Sequence, residues 1–214
     1  MLFRSQLTHW IAENAKTCRA FLKLVGGVVP LAVPIQQQNI SELNKHSALD
    51  LQTLLSPLQA GHDMGLVSEA GAPAVADPGA LIVAAAHALG AQVMPLVGPS
   101  SILLALMASG LNGQSFAFHG YLPKDAAERS TAIKRLQLAS KQFLQTQLFI
   151  ETPYRNEALL ASLLQTLDAE TQLCLAVAIS APNQWIQTRR VREWRSNSSP
   201  EGFNHQPTLF ALLA

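Results

Sequence analysis

The 214-residue chain has little charge, few aromatic residues and only two cysteines. Asp, Glu, Lys and Arg make up 14% of it, with a net charge of +1, so no overall pull toward nucleic acid or a membrane surface is expected. Cys18 and Cys174 are far apart and each sits in apolar sequence. They read as buried small hydrophobes rather than as a disulfide or metal pair, and such usage fits a reducing compartment. The longest apolar run, 102–108, is far shorter than the roughly 20 residues a membrane span needs. The first ten residues carry Arg4 but no apolar core of a secretory signal. The expectation is a soluble, cytoplasmic protein without a membrane partner. No His/Cys/Asp spacing suggests a metal site. There is no GxGxxG fingerprint, no P-loop Gly-Lys-Ser/Thr and no GxSxG elbow, which disfavours phosphate cradling and α/β-hydrolase chemistry. What the chain does have is 49% hydrophobic residues, enough for a substantial core and too many for disorder.

The apolar pattern predicts strand and helix in alternation. A short strand over 8–13 precedes a helix over 15–25, stopped by Gly26-Gly27. An extended 28–35, broken by Pro30 and Pro34, leads to a helix over 47–60, a strand over 64–68 and a helix over 80–89. A strand over 92–97 and a helix over 101–109 follow. This alternation implies a mostly parallel sheet with helices on its faces. After Asn112-Gly113 the pattern restarts: strands at 116–121, 147–151, 173–180 and 208–213, helices at 124–141 and 156–167, and an alternating, arginine-bearing stretch at 185–194. A boundary near 111–115 divides the chain into domains 1–112 and 113–214.

Three stretches can carry chemistry. "GLVSEAGAPAVADPG", 65–79, links a strand to a helix through small residues fixed by Pro73 and Pro78. Glycine at 71 and 79 allows close backbone approach or positive φ, so the loop presents backbone groups more than side chains. An ordinary tight turn is the simpler account. "PLVGPSSILLALMASGL", 95–111, turns at Gly98-Pro99, and Ser100 or Ser101 can cap the next helix. Both loops sit at strand carboxyl ends, where open α/β sheets bind ligands. "FIETPYRN", 149–156, sets a carboxylate, an aromatic and an arginine in a row; Glu151 either pairs with Arg155 or faces a ligand. His119, beside Gly120, is a proton carrier or simply hydrogen-bonded. Lys124, Asp125, Arg129, Lys134 and Arg135 read as a solvated helix face.

Together with "FAFHGYLPKD", 116–125, these stretches resemble in order and spacing the tetrapyrrole (corrin/porphyrin) methylase family, and within it most the ribosomal RNA small subunit methyltransferase I branch. That branch reads S-D-A-G-x-P-x-I-S-D-P-G, P-G-P-S-A, G-F-L-P and E-S-P-H-R. The resemblance implies two α/β domains with a cleft between them, a homodimer, and S-adenosylmethionine as methyl donor. Carried over residue by residue, Glu69, Ala70, Gly71, Pro73, Asp77 and Gly79 line the donor site, and Gly98, Pro99, Ser100 and Ser101 form its second wall. Tyr154 and Arg155, with Lys124 and Arg129, are the substrate-binding candidates. Glu151, His119 and Asp77, in that order, are the candidates for handling the acceptor's proton. The implied activity is methylation of ribosomal RNA at a ribose 2′-hydroxyl, with basic surface from Arg189, Arg190, Arg192 and Arg195 and the helix from Lys124. Methylation of a tetrapyrrole or other small molecule, or donor binding without catalysis, are the alternatives.

The chain departs from the pattern in places. Glu69 stands for the usual aspartate, Tyr154 for a histidine and Asn14 for an acidic residue, and Val97 precedes Gly98 where glycine or proline-glycine is usual. The family's opening strand and P-x-G-N-L-like loop have no counterpart in "MLFRS". The expectation is a first domain shortened at its N-terminus relative to the family.

Overall fold

The computed structural model describes residues 6–43, 50–197, 199 and 201–214. The chain forms two units, Met1–Gly98 and Pro99–Ala214.

The first unit is built on β1 (His9–Ala12), which lies between β2 (Asn39–Glu42) and β3 (Met64–Val67), parallel to both. Helix α1 (Ala15–Gly26) connects β1 toward β2; its N-cap Asn14 accepts from the amides of Lys16 and Thr17. Side chains of β1 alternate between two apolar clusters, as a strand buried on both faces requires. Trp10 and Ala12 pack with Cys18 and Leu22 of α1. Ile11 packs with Leu43, Leu55 and Ile82 on the other face. The Trp10 indole donates to Gln38 Oε1 at 2.9 Å in the interior. Gly65 of β3 makes room for that indole, since a Cβ there would lie 2.5 Å from the ring.

Two expectations for this unit change. The part of the expected 47–60 helix that lies within the described residues is two single turns, α2 (Leu51–Leu54) and α3 (Ser56–Gln59). Pro57 cannot continue a helix begun before it, because its ring meets the carbonyl of residue 53. The stretch 92–97 is not a strand: residues 91–100 have no regular structure, and Val97 is 99% exposed. Pro95 in its middle lacks the N–H a ladder needs, and among the described residues no strand pairs with this stretch. Helix α4 (Gly79–Ala88) follows the small-residue loop as expected.

The second unit begins with α5 (Ser101–Ser109), which the sequence pattern assigned to the first domain. α5 buries Ala105 and Leu106 against Leu148, Cys174, Ala176, Leu209 and Ala211 of the second sheet. Thr188 Oγ1 fastens its end by donating to Ser109 O at 2.6 Å. The sheet runs β4-β5-β8-β6-β7, with β4 (Phe116–Tyr121), β5 (Thr146–Glu151), β6 (Gln172–Val177), β7 (Trp185–Arg190) and β8 (Thr208–Leu213). Only β4 and β5 pair in parallel; the other neighbours are antiparallel. Helices α6 (Ala126–Phe143) and α7 (Asn156–Thr166) cover the opposite face, over Phe149, Leu173, Leu175, Phe210 and Leu212. Both cysteines are free and buried, and burial raises both thiol pKa values. Among the described residues no helix is long and apolar enough to cross a membrane.

His9 opens β1, accepts from the Asn39 amide at 3.2 Å and stacks on His62 with centroids 4.7 Å apart. Burial, then the neighbouring His62, lowers its pKa below 6.5. The fold therefore favours the neutral ring. This contribution is complete above the unfolded value of 6.5 and is lost as pH falls from there toward the lowered folded value. Thermal unfolding should give a falling Tm between about pH 7 and about pH 5. The variant His62→Asn should fall less steeply over the same range.

Candidate functional site

In the first unit the three parallel strands bring their carboxyl ends to one edge, and each carries a glutamate there: Glu13 just after β1, Glu42 at the last residue of β2 and Glu69 two residues past β3. Glu42 Oε2 accepts from the Ala15 amide at 2.9 Å, at the start of α1. Glu13 Oε1 accepts from the Glu69 amide at 3.2 Å. Glu69 Oε1 receives the Thr17 hydroxyl at 2.5 Å. Glu69 thus opens the loop 69–79 already attached to α1. Sequence reading found Glu69 but missed Glu13, Thr17 and Glu42. The available signal was an acidic residue closing each short apolar run.

The loop owes its shape to Asp77. Its Oδ1 accepts from the amides of Ala74 and Gly79, both at 2.7 Å, and so closes the turn onto the start of α4. Gly71 has φ +73, as its residue type suggests. Gly79 does not need positive φ; it begins α4 and is buried, where a Cβ would sit 2.9 Å from Asp77 Oδ1 and 3.0 Å from the Ala74 amide. The left-handed positions fall instead on Ala74 (φ 65) and Ala76 (φ 61). An L-residue there costs roughly 1–2 kcal/mol, and such strain concentrates at functional sites. Glu69, Ala70, Gly71 and Pro73 are exposed. Among the described residues the amides of Gly71 and Ala76 have no hydrogen-bond partner. The loop therefore offers backbone donors and one carboxylate behind side chains no larger than proline and valine. Gly98 closes this unit with open space where a Cβ would be. Pro99, Ser100 and Ser101 belong to the second unit, where Ser100 is the N-cap residue of α5 without a side-chain cap bond.

In the second unit the parallel pair β4 and β5 ends at Tyr121 and Glu151, so the 116–125 and 149–156 motifs share one sheet edge. Glu151 is buried there. Its Oε1 accepts from the Thr152 amide at 2.7 Å and the Thr152 hydroxyl at 3.1 Å. Its Oε2 lies 3.0 Å from Arg155 Nη2. This is the structural pairing, one of the two readings open from sequence. Tyr154 is 75% exposed beside it. Asn156 ties the segment to the chain before β8, donating to Phe203 O and Gln206 O at 2.9 Å each.

His119 is exposed on β4, and its Nε2 lies 2.7 Å from Gln147 Oε1. Gln147 is fully buried and donates through Nε2 to Gln145 O at 3.1 Å, which turns its oxygen toward the ring. An amide oxygen there is matched by the tautomer that carries its proton on Nε2, and Nδ1 has no hydrogen-bond partner among the described residues. Lys124 is exposed. Arg129 is not free to reach a ligand: it is buried, donating to Ser162 Oγ at 3.0 Å and to Lys124 O at 2.9 Å.

The arginine cluster is also engaged. Arg190 and Arg192 both pair with Glu170. Arg195 donates to Leu164 O and Leu167 O at the end of α7. Arg189 lies over the Trp194 ring at 4.9 Å. An open pocket of about 250 Å³, lined by Asn112, Leu144, Glu170, Gln172 and Arg190 among others, includes no predicted site residue. Among the described residues no group of three His, Cys, Asp or Glu side chains is placed to hold a metal ion.

No family model matches the chain. It is 33% identical over 148 residues to the ribosomal RNA small subunit methyltransferase I of Pseudomonas aeruginosa, covering 68% of this chain and 51% of that protein. The protein of that name from Vibrio cholerae is 35% identical over 136 residues, 64% of this chain and 46% of that one. The chain spans about half the length of the curated relatives it matches. In fold it is similar to the methyltransferase CobJ, with a TM-score of 0.54 at 15% identity over 96% of this chain and 93% of that one. It is similar also to uroporphyrin-III-C-methyltransferase from Thermus thermophilus, with a TM-score of 0.50 at 16% identity over 98% and 84%. The fold is that of these methyltransferases. By sequence the chain is similar, over about two thirds of its own length, to the ribosomal RNA small subunit methyltransferase I proteins.

Two substitutions separate holding from chemistry. Asp77→Ala frees two amides and should cost about 1–3 kcal/mol in thermal unfolding, with faster proteolysis at 69–79; Asp77→Asn keeps the acceptor oxygen and should cost less. Glu151→Gln leaves the largely buried Arg155 uncompensated and should cost about 3–5 kcal/mol in denaturant unfolding, with much of it recovered by adding Arg155→Met.

Proposed function

We propose that this chain is an S-adenosylmethionine-dependent methyltransferase acting on a ribose 2′-hydroxyl of small-subunit ribosomal RNA, as a cytoplasmic homodimer. The observation that carries the reading is the conjunction of two features. Identity to the ribosomal RNA small subunit methyltransferase I proteins extends over about two thirds of the chain. The loop 69–79, whose sequence resembles the methylase pattern, lies at the carboxyl edge of a parallel sheet, where such folds bind small molecules.

The loop's chemistry suits the donor. The free amides of Gly71 and Ala76 match a carboxylate or an adenine edge, and Glu69 matches ribose hydroxyls. A preset loop of small residues and prolines loses little freedom on binding. The chemistry supplied by S-adenosylmethionine when bound is an electrophilic sulfonium methyl group, displaced in line. The chain's part is to align the acceptor and to take its proton. His119, exposed and with Nε2 against Gln147 Oε1, is the candidate whose charge is not already committed to the fold. Glu151 orients Arg155 rather than acting as a base.

A second reading, methylation of a tetrapyrrole or other small molecule, is favoured by the fold likeness to CobJ and uroporphyrin-III-C-methyltransferase. A third, donor binding without catalysis, draws on the structural bonds that occupy Asp77 and Glu151.

Calorimetric titration with S-adenosylmethionine should show binding on the order of micromolar. Labelled methyl should then pass to small-subunit ribosomal RNA. Transfer to a porphyrinogen instead would select the second reading, and binding with no transfer the third. Absence of donor binding by the folded chain would overturn all three.

A further inference from the structure

The structure engages most of the arginines that the sequence offered to RNA; exposed cations with no ion-pair partner among the described residues remain at Lys124, at Lys134 and Arg135 of α6, and on α1. Arg129, Lys141, Arg155, Arg190, Arg192 and Arg195 are all held by carboxylates, a hydroxyl or carbonyls. On α1 it is Lys16, Arg19 and Lys23 that are exposed and have no ion-pair partner among the described residues. At 3.6 residues per turn the three fall within an arc of about 60°. That arc is centred about 110° around the helix from Cys18 and Leu22, which α1 buries.

Local energetics accounts for Lys23, which stands in the last turn where the helix dipole favours a cation, but not for Lys16 and Arg19 beside it. Like charges three and four residues apart on a helix repel. Lys16 stands in the first turn, where the helix dipole disfavours a cation, and no acidic residue of that turn offsets it. Charges kept against local stability point to a role outside the helix. The stripe also starts at the candidate site, because Thr17, between Lys16 and Cys18, holds Glu69 at the head of the loop 69–79.

We infer that the exposed face of α1, carrying Lys16, Arg19 and Lys23, is the surface that binds the phosphate backbone of the RNA acceptor and leads it to the loop 69–79. The inference rests on the reading of the chain as an RNA methyltransferase. Phosphate contacts give affinity and register, and each contributes to the salt dependence of binding. The partner is a polyanion whose charges repeat along a strand, which a row of cations on one helix face complements.

The test compares the parent chain, the triple variant K16Q/R19Q/K23Q and the variant R190Q/R192Q. Each is titrated with S-adenosylmethionine by calorimetry and with a small-subunit ribosomal RNA fragment over a range of salt. The triple variant should bind the donor as the parent does. Its RNA affinity should fall at least about tenfold near 0.1 M salt, and the slope of log K against log salt should shrink by about 2, three contacts at about 0.7 each for a single strand. R190Q/R192Q should keep the parent's slope. A triple variant with the parent's RNA affinity and slope overturns the inference, as does loss of slope in R190Q/R192Q instead. A parent chain that binds donor but has no salt-dependent RNA affinity overturns the RNA reading itself.

Discussion

Asp77 Oδ1 holds the amides of Ala74 and Gly79 at 2.7 Å each, and the form of the candidate site follows from that oxygen. With both amides drawn to one point, the residues between them cannot stay extended. Ala74 and Ala76 take left-handed conformations that their side chains disfavour. The charge-assisted bonds offset that cost. Gly79 must lack a side chain because its own Cβ would meet the same oxygen. The loop thus carries strain on alanines and close packing on a glycine, and the amides of Gly71 and Ala76 remain free at its surface. The opposite end of the loop is fixed separately, by Thr17 and Glu13 acting on Glu69.

Local pattern made the regular elements legible. β1, α1, β3, α4 and most elements of the second unit fall within a few residues of their expected places, since each has a clear apolar period or glycine stop. What failed depended on distant partners. Residues 92–97 are apolar enough for a buried strand, but a strand exists only where it pairs with a neighbour, and among the described residues none pairs with this stretch, which carries Pro95. α5 packs on the second sheet for a reason equally invisible in local pattern. Its sequence is apolar on all sides, so periodicity cannot say which sheet it packs on; Ala105 and Leu106 choose the second. The antiparallel order of β8 between β5 and β6 likewise had no local sign.

The candidate site was legible in position more than in role. Motif order located the loop 69–79 and the edge at Tyr121 and Glu151. It could not show which polar side chains were already committed. The arginines of 189–195 look like a nucleic-acid surface in one dimension. In three they neutralise Glu170, close the end of α7 and lie on Trp194. α1 looks unremarkable in sequence because its cations are diluted by Thr17, Cys18 and Ala20. Only the helical turn gathers Lys16, Arg19 and Lys23 on one face. A net charge of +1 therefore conceals a division between cations consumed by the fold and cations left to act.

The same division decides among the groups that could take a proton. A carboxylate that already accepts two amides, as Asp77 does on one oxygen, or that is buried against a guanidinium, as Glu151 is, has its charge committed to the folded state. Protonating either during turnover would weaken bonds that hold the loop or the β5 end. His119 has no such obligation. Its single bond, Nε2–H to Gln147, strengthens if the ring gains a second proton, because a cationic donor bonds the amide oxygen more tightly. Gln147 is itself fixed by its bond to Gln145 O and needs no reorganisation to follow that change. On the reading of the chain as a methyltransferase, a base whose supporting bond improves as it accepts the proton would suit transfer to a hydroxyl.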